Sequence, residues 1–330
     1  MTRRAAVIGC GFIGASPVLP GSGIQSHAAA WTHHPGAKLV GLADPDAERL
    51  QSAATRWSVK ATFPTAEELL DRVKPEIVSL CSPDPTHGEI LDHILDAPSV
   101  RAVLAEKPLA LDVPEAEALV AKAEARGIVL AVNYVRRFAP SHQQLRRWLH
   151  SEPIGRIELV RGTYVRGLKH NGTHWFDLAR FLIGEVAGIR GFGVVAEEVL
   201  DATIDVELEF EAGARGMLHG LREVPYSLFE MDLIGRHGRV RVVDSGQRVE
   251  VFTAAPSRRF PGFRDLVPAP GPAGGLGDLL MHAASDLIEA LATGRPPACT
   301  GTDAVIALSL AEQAIADARS EERTHAAIGR

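Results

Sequence analysis

Three glycines near the start of the chain have the spacing of a phosphate-binding turn. An apolar, strand-like run at residues 5–8 leads directly into G-x-G-x-x-G at Gly9, Gly11 and Gly14. The first glycine permits a tight turn, the second lets the backbone approach a pyrophosphate, and the third permits close helix–strand packing. Backbone amides at the start of the following helix would then face the phosphates. The motif predicts dinucleotide binding, and a purely structural glycine turn is the alternative.

An aspartate at the end of the next strand-like run predicts which dinucleotide is bound. A carboxylate at Asp44 can accept hydrogen bonds from the adenosine ribose hydroxyls and repel a 2′-phosphate, so we expect NAD rather than NADP. The alternative role, capping a helix N-terminus, suits Asp46 better. Asp44 lies 30 residues after Gly14 (44 − 14), whereas about 20 are usual. The excess at residues 15–26 is rich in Pro, Gly and Ser and predicts an inserted loop that lines or covers the cofactor site.

A lysine at the end of a later strand could act on a substrate oxygen. Lys107 follows the fourth strand-like run, and ligands of open α/β sheets bind outside the carboxyl ends of the strands. An ammonium there could hydrogen-bond a substrate oxygen and stabilise negative charge during hydride transfer. For any lone lysine, a surface position at a strand end is the simpler interpretation.

The elements around these residues predict two domains. Up to about residue 134, short apolar runs alternate with helical stretches, which implies a doubly wound parallel sheet. The predicted strands are residues 5–9, 38–44, 77–82, 102–106 and 128–133, and the predicted helices include 47–57, 86–96 and 114–126. Runs of this length and apolarity are typical of strands that are buried on both faces.

After residue 155 the pattern changes to alternating strands. Residues 204–210 alternate apolar and acidic residues strictly, so one face should be buried and the other should meet water or a partner. The predicted strands are 157–165, 203–210, 214–221, 229–234, 239–243 and 248–252 in an antiparallel meander, with helices 141–150, 174–183, 278–292 and 303–319 covering it and a long loop at 256–277. The predicted fold is an α/β Rossmann domain (residues 1–134) followed by an α+β domain (residues 135–330) with a large, mainly antiparallel open sheet.

The composition narrows the class of protein. Hydrophobic residues make up 46% and charged residues 23% of the 330, enough for two substantial cores. The net charge of −6 gives no reason to expect a nucleic-acid partner, and no run reaches the ~20 apolar residues of a membrane span. The three cysteines are widely spaced, which argues against disulfides. Because the apolar stretch at residues 5–8 is too short for a signal sequence, we expect a cytoplasmic protein.

Together the motifs resemble those of the glucose–fructose oxidoreductase/inositol dehydrogenase (Gfo/Idh/MocA) family over nearly the whole chain. The resemblance implies NAD(P)-dependent oxidation or reduction at a carbon of a sugar, cyclitol or related molecule. It is carried by the glycine turn, Glu106-Lys107-Pro108, Ser82-Pro83 followed by His87, residues 134–140 and 154–157, and a G-x-H-x-x-D pattern at Gly172, His174 and Asp177.

The resemblance implies roles for individual positions. The expected cofactor contacts are Gly9, Gly11, Phe12, Ile13, Gly14, Asp44, Ser82, Pro83, His87, Glu106 and Lys107. The expected substrate contacts are Lys107, Tyr134, Arg137, Asn171 and His174. The expected catalytic residues are Lys107, His174, Asp177 and His170.

His174 should lie in the first turn of a helix that ends before Gly184. The positive end of the helix dipole favours a neutral imidazole near pH 7, which can accept the hydroxyl proton as hydride leaves. Asp177, three residues later on the same helix face, should orient His174 or contact the substrate. Many family members have an aspartate four residues before this histidine, where this chain has His170. Either His170 shares substrate binding, or the acid–base work falls on His174 and Lys107 alone.

Two functions are compatible with these residues. The first is an NAD-dependent oxidoreductase acting on a hydroxyl or keto carbon of a sugar, cyclitol or sugar derivative. The second is a catalytically silent NAD- or sugar-binding sensor of the same fold, which the departure at His170 would suit. No metal is expected, because three possible ligands straddling a helix start are weak evidence for one. The family implies a homodimer or homotetramer with a small-molecule substrate, and neither nucleic acid nor membrane is an expected partner.

Overall fold

The chain divides into two compact units, each discontinuous in sequence. A computed structural model describes residues 2–197, 201–222, 224–226 and 228–328, with side chains up to residue 321. The first unit comprises Met1–Ala139 and Gly277–Ile306, and the second comprises Pro140–Leu276 and Ala307–Arg330. Residues 277–306 therefore pack with the first unit, whereas the sequence analysis assigned all of 135–330 to the second domain.

The elements are numbered in chain order. The strands are β1 (Arg3–Ile8), β2 (Ala37–Ala43), β3 (Thr62–Phe63), β4 (Ile77–Leu80), β5 (Ala102–Ala105), β6 (Val129–Val132), β7 (Ile157–Val165), β8 (Val186–Glu197), β9 (Ala202–Phe210), β10 (Arg215–Leu221), β11 (Glu230–Gly235), β12 (Gly238–Val243), β13 (Arg248–Pro256) and β14 (Arg264–Pro268). The helices are α1 (Phe12–Ala15), α2 (His27–His33), α3 (Ala47–Trp57), α4 (Ala66–Val73), α5 (His87–Asp96), α6 (Val113–Ala125), α7 (Val135–Phe138), α8 (Pro140–Leu149), α9 (Thr173–Ile183), α10 (Leu279–Thr293) and α11 (Gly301–Ile328). Over the residues that the structure describes, none of these helices has the length and apolarity that crossing a membrane would require.

The first unit is a doubly wound sheet of parallel strands in the order β3-β2-β1-β4-β5-β6. Every residue of β4 and β5 is buried, because helices cover both faces of such a sheet. The strand order reverses between β1 and β4, and ligands of this fold bind at that switch point, beyond the carboxyl ends of the strands. The prediction that α10 covers the second sheet is wrong, since α10 instead contacts α2, α7, β5 and β6.

The second unit is built on an open sheet in the order β14-β13-β12-β11-β7-β10-β9-β8. β7 pairs in parallel with β10 and antiparallel with β11, so the sheet is mainly antiparallel, as predicted, without being a simple meander. In β9 the predicted alternation is present: Ile204, Val206 and Leu208 are buried, whereas Glu209 is exposed. The predicted loop at 256–277 is wrong in part, because β14 forms an edge strand against β13 there.

The core of the second unit is centred on α9, which contributes the fully buried Trp175 and Phe176. A buried carboxylate on β11 forms two ion pairs with neighbouring strands: Asp232 accepts hydrogen bonds from Arg161 at 2.9 Å and from Arg239 at 2.6 Å. Burial alone would raise the pKa of Asp232, but the two guanidinium groups hold it below its usual value. This sheet and α9 together position the histidine motif.

Candidate functional site

The glycine turn lies between the ends of β1 and β4. Gly9 has a φ of +92°, and a Cβ at this position would lie 2.5 Å from the Cys81 carbonyl, so only glycine fits. A Cβ on Gly14 would meet the Gly9 carbonyl oxygen at 1.9 Å. A Cβ on Gly11 would meet nothing within 4 Å, which leaves the backbone of the turn open on that side. A dinucleotide pyrophosphate requires such an opening, so the turn fits the expected cofactor.

The helix expected after the turn is interrupted by residues 16–26. The Ser26 hydroxyl donates to the Ser16 carbonyl at 2.8 Å, so this inserted segment is closed at its base just before α2 begins. The four-residue α1 is too short for a substantial dipole, so the predicted phosphate contacts are the amides of the turn itself. The Ile24 amide donates to the Asp278 carboxylate at 2.8 Å, which anchors the segment within the first unit. Its role as a lining or lid of the cofactor site stays a prediction.

Asp44 lies directly after β2 and is only 3% exposed. Its Oδ2 accepts a hydrogen bond from the Cys10 amide of the glycine turn at 2.7 Å, and its Oδ1 accepts one from the Asp46 amide at 2.9 Å. Arg49 of α3 approaches Oδ1 at 3.5 Å. The helix-capping role falls to Asp46, whose side chain accepts from the Arg49 amide. The inserted segment therefore leaves Asp44 bonded to the turn, in spite of the unusual spacing.

His87, an expected cofactor contact, is fully buried. Its Nδ1 lies 2.6 Å from the Pro108 carbonyl oxygen, and its Nε2 lies 2.7 Å from the Ser82 carbonyl oxygen. The ring thereby links the loop after β4 to the loop after β5. In the first of these loops Ser82 is half-buried and Pro83 is exposed, so both expected cofactor contacts are accessible to a ligand.

The Glu106-Lys107-Pro108 motif directly follows β5. Lys107 is half-buried, and its peptide bond to Pro108 is cis. The Glu106 carboxylate lies between His27, at 3.0 Å, and Asn133, at 2.6 Å. Because β1, β4 and β5 are neighbours and adjacent strands lie about 4.8 Å apart, the glycine turn and the lysine motif share one sheet edge, about 10 Å apart.

The histidine motif belongs to the second unit, where it spans a π-helical turn, Leu168–Gly172, and the first turns of α9. Asp201 accepts the His170 amide at 3.0 Å and so stabilises the π-helical turn. His174 is half-buried in the first turn of α9, Asp177 is 1% exposed, and His170 is exposed. Single π-helical turns are frequent at functional sites. The predicted catalytic residues are thus divided between the two units, with Lys107 in the first.

Two of the expected substrate contacts have partners within their own units. Arg137 is 8% exposed, and its Nη1 lies 3.1 Å from an Asp303 carboxylate oxygen. Asn171 donates from Nδ2 to the Val165 carbonyl at 2.9 Å. Tyr134 is 2% exposed. Arg137 and Asn171 therefore stabilise the local fold, and the sequence analysis did not anticipate these interactions.

The cysteines are buried and free. Burial, together with the charge of Asp44, raises the pKa of the Cys10 thiol to about 12. Burial also raises the pKa of Cys81 well above its ordinary value. Thiols in such surroundings are inert. Within the described ranges, no three His, Cys, Asp or Glu side chains are grouped as ligands for a metal ion.

Two family models match the chain. The model for the oxidoreductase family with an NAD-binding Rossmann fold (Gfo/Idh/MocA) matches residues 3–134, and the model for the Gfo/Idh/MocA C-terminal domain matches residues 166–241. The chain belongs to the Gfo/Idh/MocA family. The expected family, its Rossmann and α+β architecture and the oxidoreductase class are confirmed.

Individual Gfo/Idh/MocA relatives cover most of the chain. The chain is 28% identical to the scyllo-inositol 2-dehydrogenase (NAD(+)) of Bacillus subtilis over 72% of each chain. It is 26% identical to the myo-inositol 2-dehydrogenase of Thermotoga maritima over 93% of each chain. A crystal structure of an Agrobacterium radiobacter oxidoreductase in complex with NAD+, L-tartaric acid and magnesium has a TM-score of 0.76, with 19% identity and 97% of both chains covered. At this identity the structural likeness shows the fold alone.

The sequence analysis overlooked residues that hold the Gfo/Idh/MocA motifs in place. His27 and Asn133 bond to Glu106, Ser79 bonds to His27, and Asp201 fixes the π-helical turn. These residues lie far from their partners in sequence, so no local pattern identifies them. The available signal was position alone: His27 opens the helix after the inserted segment, and Asn133 directly follows β6.

Proposed function

We propose that this chain is an NAD-dependent dehydrogenase or reductase that acts on a hydroxyl or keto carbon of a sugar, cyclitol or sugar derivative. The observation that carries the proposal is that one edge of one sheet holds both the open glycine turn and Lys107. A dinucleotide bound on the turn would therefore lie about two strand separations from the Lys107 ammonium group, which can bind a substrate oxygen. The relatives named above are inositol dehydrogenases, which supports a polyhydroxylated substrate.

The preference for NAD over NADP is proposed from Asp44. Its carboxylate is held at the end of β2 by the amides of Cys10 and Asp46. A fixed carboxylate at this position of a Rossmann fold accepts hydrogen bonds from the ribose hydroxyls and repels a 2′-phosphate. Arg49 offsets part of that negative charge, so the preference should be strong but not absolute.

The proposed chemistry divides between the cofactor and the protein. When bound, nicotinamide supplies a two-electron hydride acceptor or donor. Lys107 stabilises negative charge on the substrate oxygen. His174 accepts the hydroxyl proton in oxidation and returns it in reduction. Asp177 orients His174, because residues three apart lie on the same face of a helix, and the exposed His170 contributes to substrate binding.

The remaining proposals concern the whole protein. Residues 1–134 bind NAD and contribute Lys107 and Tyr134 to the substrate, while residues 135–330 supply the other substrate contacts and form a homodimer or homotetramer. A cytoplasmic location is supported by the three free cysteines, because thiols persist in reducing compartments.

A cofactor-reduction screen tests the proposed function. The protein is incubated with NAD and a panel of free sugars, cyclitols, sugar phosphates and nucleotide sugars, and formation of NADH is followed by its absorbance. We expect saturable turnover with at least one member and a much lower kcat/KM with NADP. Tight NAD binding without turnover of any member, measured in both directions of the reaction, would contradict the proposal and favour a sensor.

A further inference from the structure

A buried, hydrogen-bonded cluster lies behind Lys107. His27 Nε2 is 3.0 Å from Glu106 Oε1, and Asn133 Nδ2 donates to the same oxygen at 2.6 Å. His27 Nδ1 is 2.8 Å from Ser79 Oγ, which also accepts from Trp31 Nε1 at 2.7 Å. The side chains of His27, Ser79 and Trp31 are fully buried, and Asn133 is 1% exposed. We refer to these five residues as the Glu106 cluster.

The side chains of the Glu106 cluster donate hydrogen bonds towards the Glu106 carboxylate. The Trp31 indole only donates, and an ionised Glu106 only accepts. His27 Nε2 donates to Glu106, and Nδ1 shares a hydrogen bond with the Ser79 hydroxyl. Trp31, Ser79 and His27 thereby form one hydrogen-bonded path to the carboxylate, and Asn133 adds a second donor at its end.

The cluster determines the charge of Glu106. Burial would raise the pKa of this carboxyl, but the hydrogen bond and the charge of His27, the hydrogen bond from Asn133 and the charge of Lys107 bring it below its ordinary value. Among the described residues, the titratable groups that face Glu106 are His27 of α2, the adjacent Lys107, and Cys81 after β4, whose own pKa is raised by burial and by the Glu106 charge. A fixed carboxylate is therefore placed beside a lysine ammonium.

We propose that His27 is a positioning residue which, with Ser79 and Asn133, holds Glu106 in place as a carboxylate beside the ammonium group of Lys107. This inference rests on the proposed function, because it assigns the work of the cluster to the residue that binds the substrate oxygen. Protonation of Glu106 would remove the attraction that the carboxylate exerts on the ammonium group of Lys107.

His27 also links the inserted segment to the lysine motif, because it directly follows the segment and contacts Glu106. Ser26, which closes residues 16–26 by its bond to Ser16, caps α2, and His27 is the first residue of that helix. The base of the inserted segment is therefore joined directly to the helix that carries His27.

A substrate-free titration tests the cluster directly. The full-length protein is labelled with carboxyl-¹³C glutamate, and Glu106→Gln identifies the Glu106 resonance. We expect Glu106 to stay ionised to a lower pH than the exposed glutamates, and to titrate at a higher pH in His27→Leu and in Asn133→Leu. His27→Gln should restore most of the wild-type behaviour, because its amide can donate to Glu106 and accept from Ser79. An unchanged Glu106 titration in His27→Leu would overturn the proposal.

Kinetics on a substrate found in the cofactor-reduction screen provide the second readout. His27→Leu should lower kcat/KM about tenfold or more, the effect of losing one hydrogen bond to a charged group. The acid limb of its pH profile should move to higher pH, because Glu106 then becomes protonated at a higher pH, while the NAD dissociation constant changes little. If the fold of His27→Leu is impaired, Ser79→Ala, which removes only a hydroxyl, should show the same shift in smaller measure. Parallel losses of NAD binding and turnover, with an unchanged pH profile, would instead indicate a merely structural role.

The two readouts separate the two proposals. Absence of turnover with every sugar and cyclitol would refute the proposed function, and the carboxyl titration would still decide whether the Glu106 cluster sets the charge beside Lys107.

Discussion

Replacing Asp44 by asparagine should change the dinucleotide preference. Asp44→Asn keeps the size of the side chain and one acceptor oxygen, and it removes the negative charge. In the structure both carboxylate oxygens accept backbone amides, from Cys10 and Asp46. Asparagine can retain one of these bonds, so the turn should keep its shape at a cost of about 1–2 kcal/mol in the free energy of unfolding.

The size of the effect follows from the two interactions that the charge makes. A hydrogen bond to a charged group contributes about 1.5–3 kcal/mol, so weaker ribose contacts should reduce NAD affinity about 10- to 100-fold. Two unit charges about 4 Å apart interact by about 4 kcal/mol at an effective dielectric of 20. Arg49, 3.5 Å from Oδ1, already offsets part of the repulsion between the Asp44 carboxylate and a 2′-phosphate. Removal of the remaining repulsion in Asp44→Asn should improve NADP affinity about tenfold. The ratio of the two affinities should therefore move by about 100- to 1000-fold.

Calorimetric titration of NAD and NADP into both proteins measures this ratio. Asp46→Asn is the matched control, because Asp46 is the neighbouring, largely exposed carboxylate, and asparagine caps a helix as well as aspartate does. The control should leave the ratio unchanged. A shift of less than about threefold in Asp44→Asn, or an equal shift in Asp46→Asn, would refute the assignment of Asp44 to the ribose.

Two further predictions concern the turn and a buried ion pair. Gly14→Ala should destabilise the first unit, because its Cβ would lie 1.9 Å from the Gly9 carbonyl oxygen. Gly11→Ala should unfold at nearly the wild-type temperature but bind NAD at least tenfold more weakly. Equal thermal unfolding shifts for the two variants would contradict this prediction. Arg137→Ala should lower the free energy of unfolding, measured in urea, by about 3 kcal/mol, because Asp303 loses the partner 3.1 Å away. The double variant Arg137→Met with Asp303→Leu should recover part of this loss. A double variant less stable than Arg137→Ala would count against the ion pair.

The sequence predicted the elements whose signal is local. The first strand, the helix Ala47–Trp57 and the strand Ile157–Val165 were predicted to within two residues, because each combines an apolar pattern with a clear start or end. β3 was missed because Thr62–Phe63 is too short to show a period. β8 was missed because its burial pattern is irregular and its pairing with β9 contains three register shifts.

The candidate site was predicted only where a motif is contiguous in sequence. The glycine turn and the lysine motif were found this way, and the structure places them on one sheet edge. The buried environment of Arg137 depends on Asp303, more than 160 residues away by number (303 − 137 = 166), so no local pattern could reveal it. The same is true of α10, whose assignment to the first unit depends on long-range packing.

The most direct test of the central claim is the rate of NADH formation by Lys107→Met and His174→Ala on a substrate of the wild-type protein, with NAD affinity measured on the same samples. Loss of a positioned acid–base group typically lowers the rate 10²- to 10⁴-fold. We expect a fall in kcat of about this size in each variant, with NAD dissociation constants within about threefold of wild type. Near-normal turnover in both variants would contradict it.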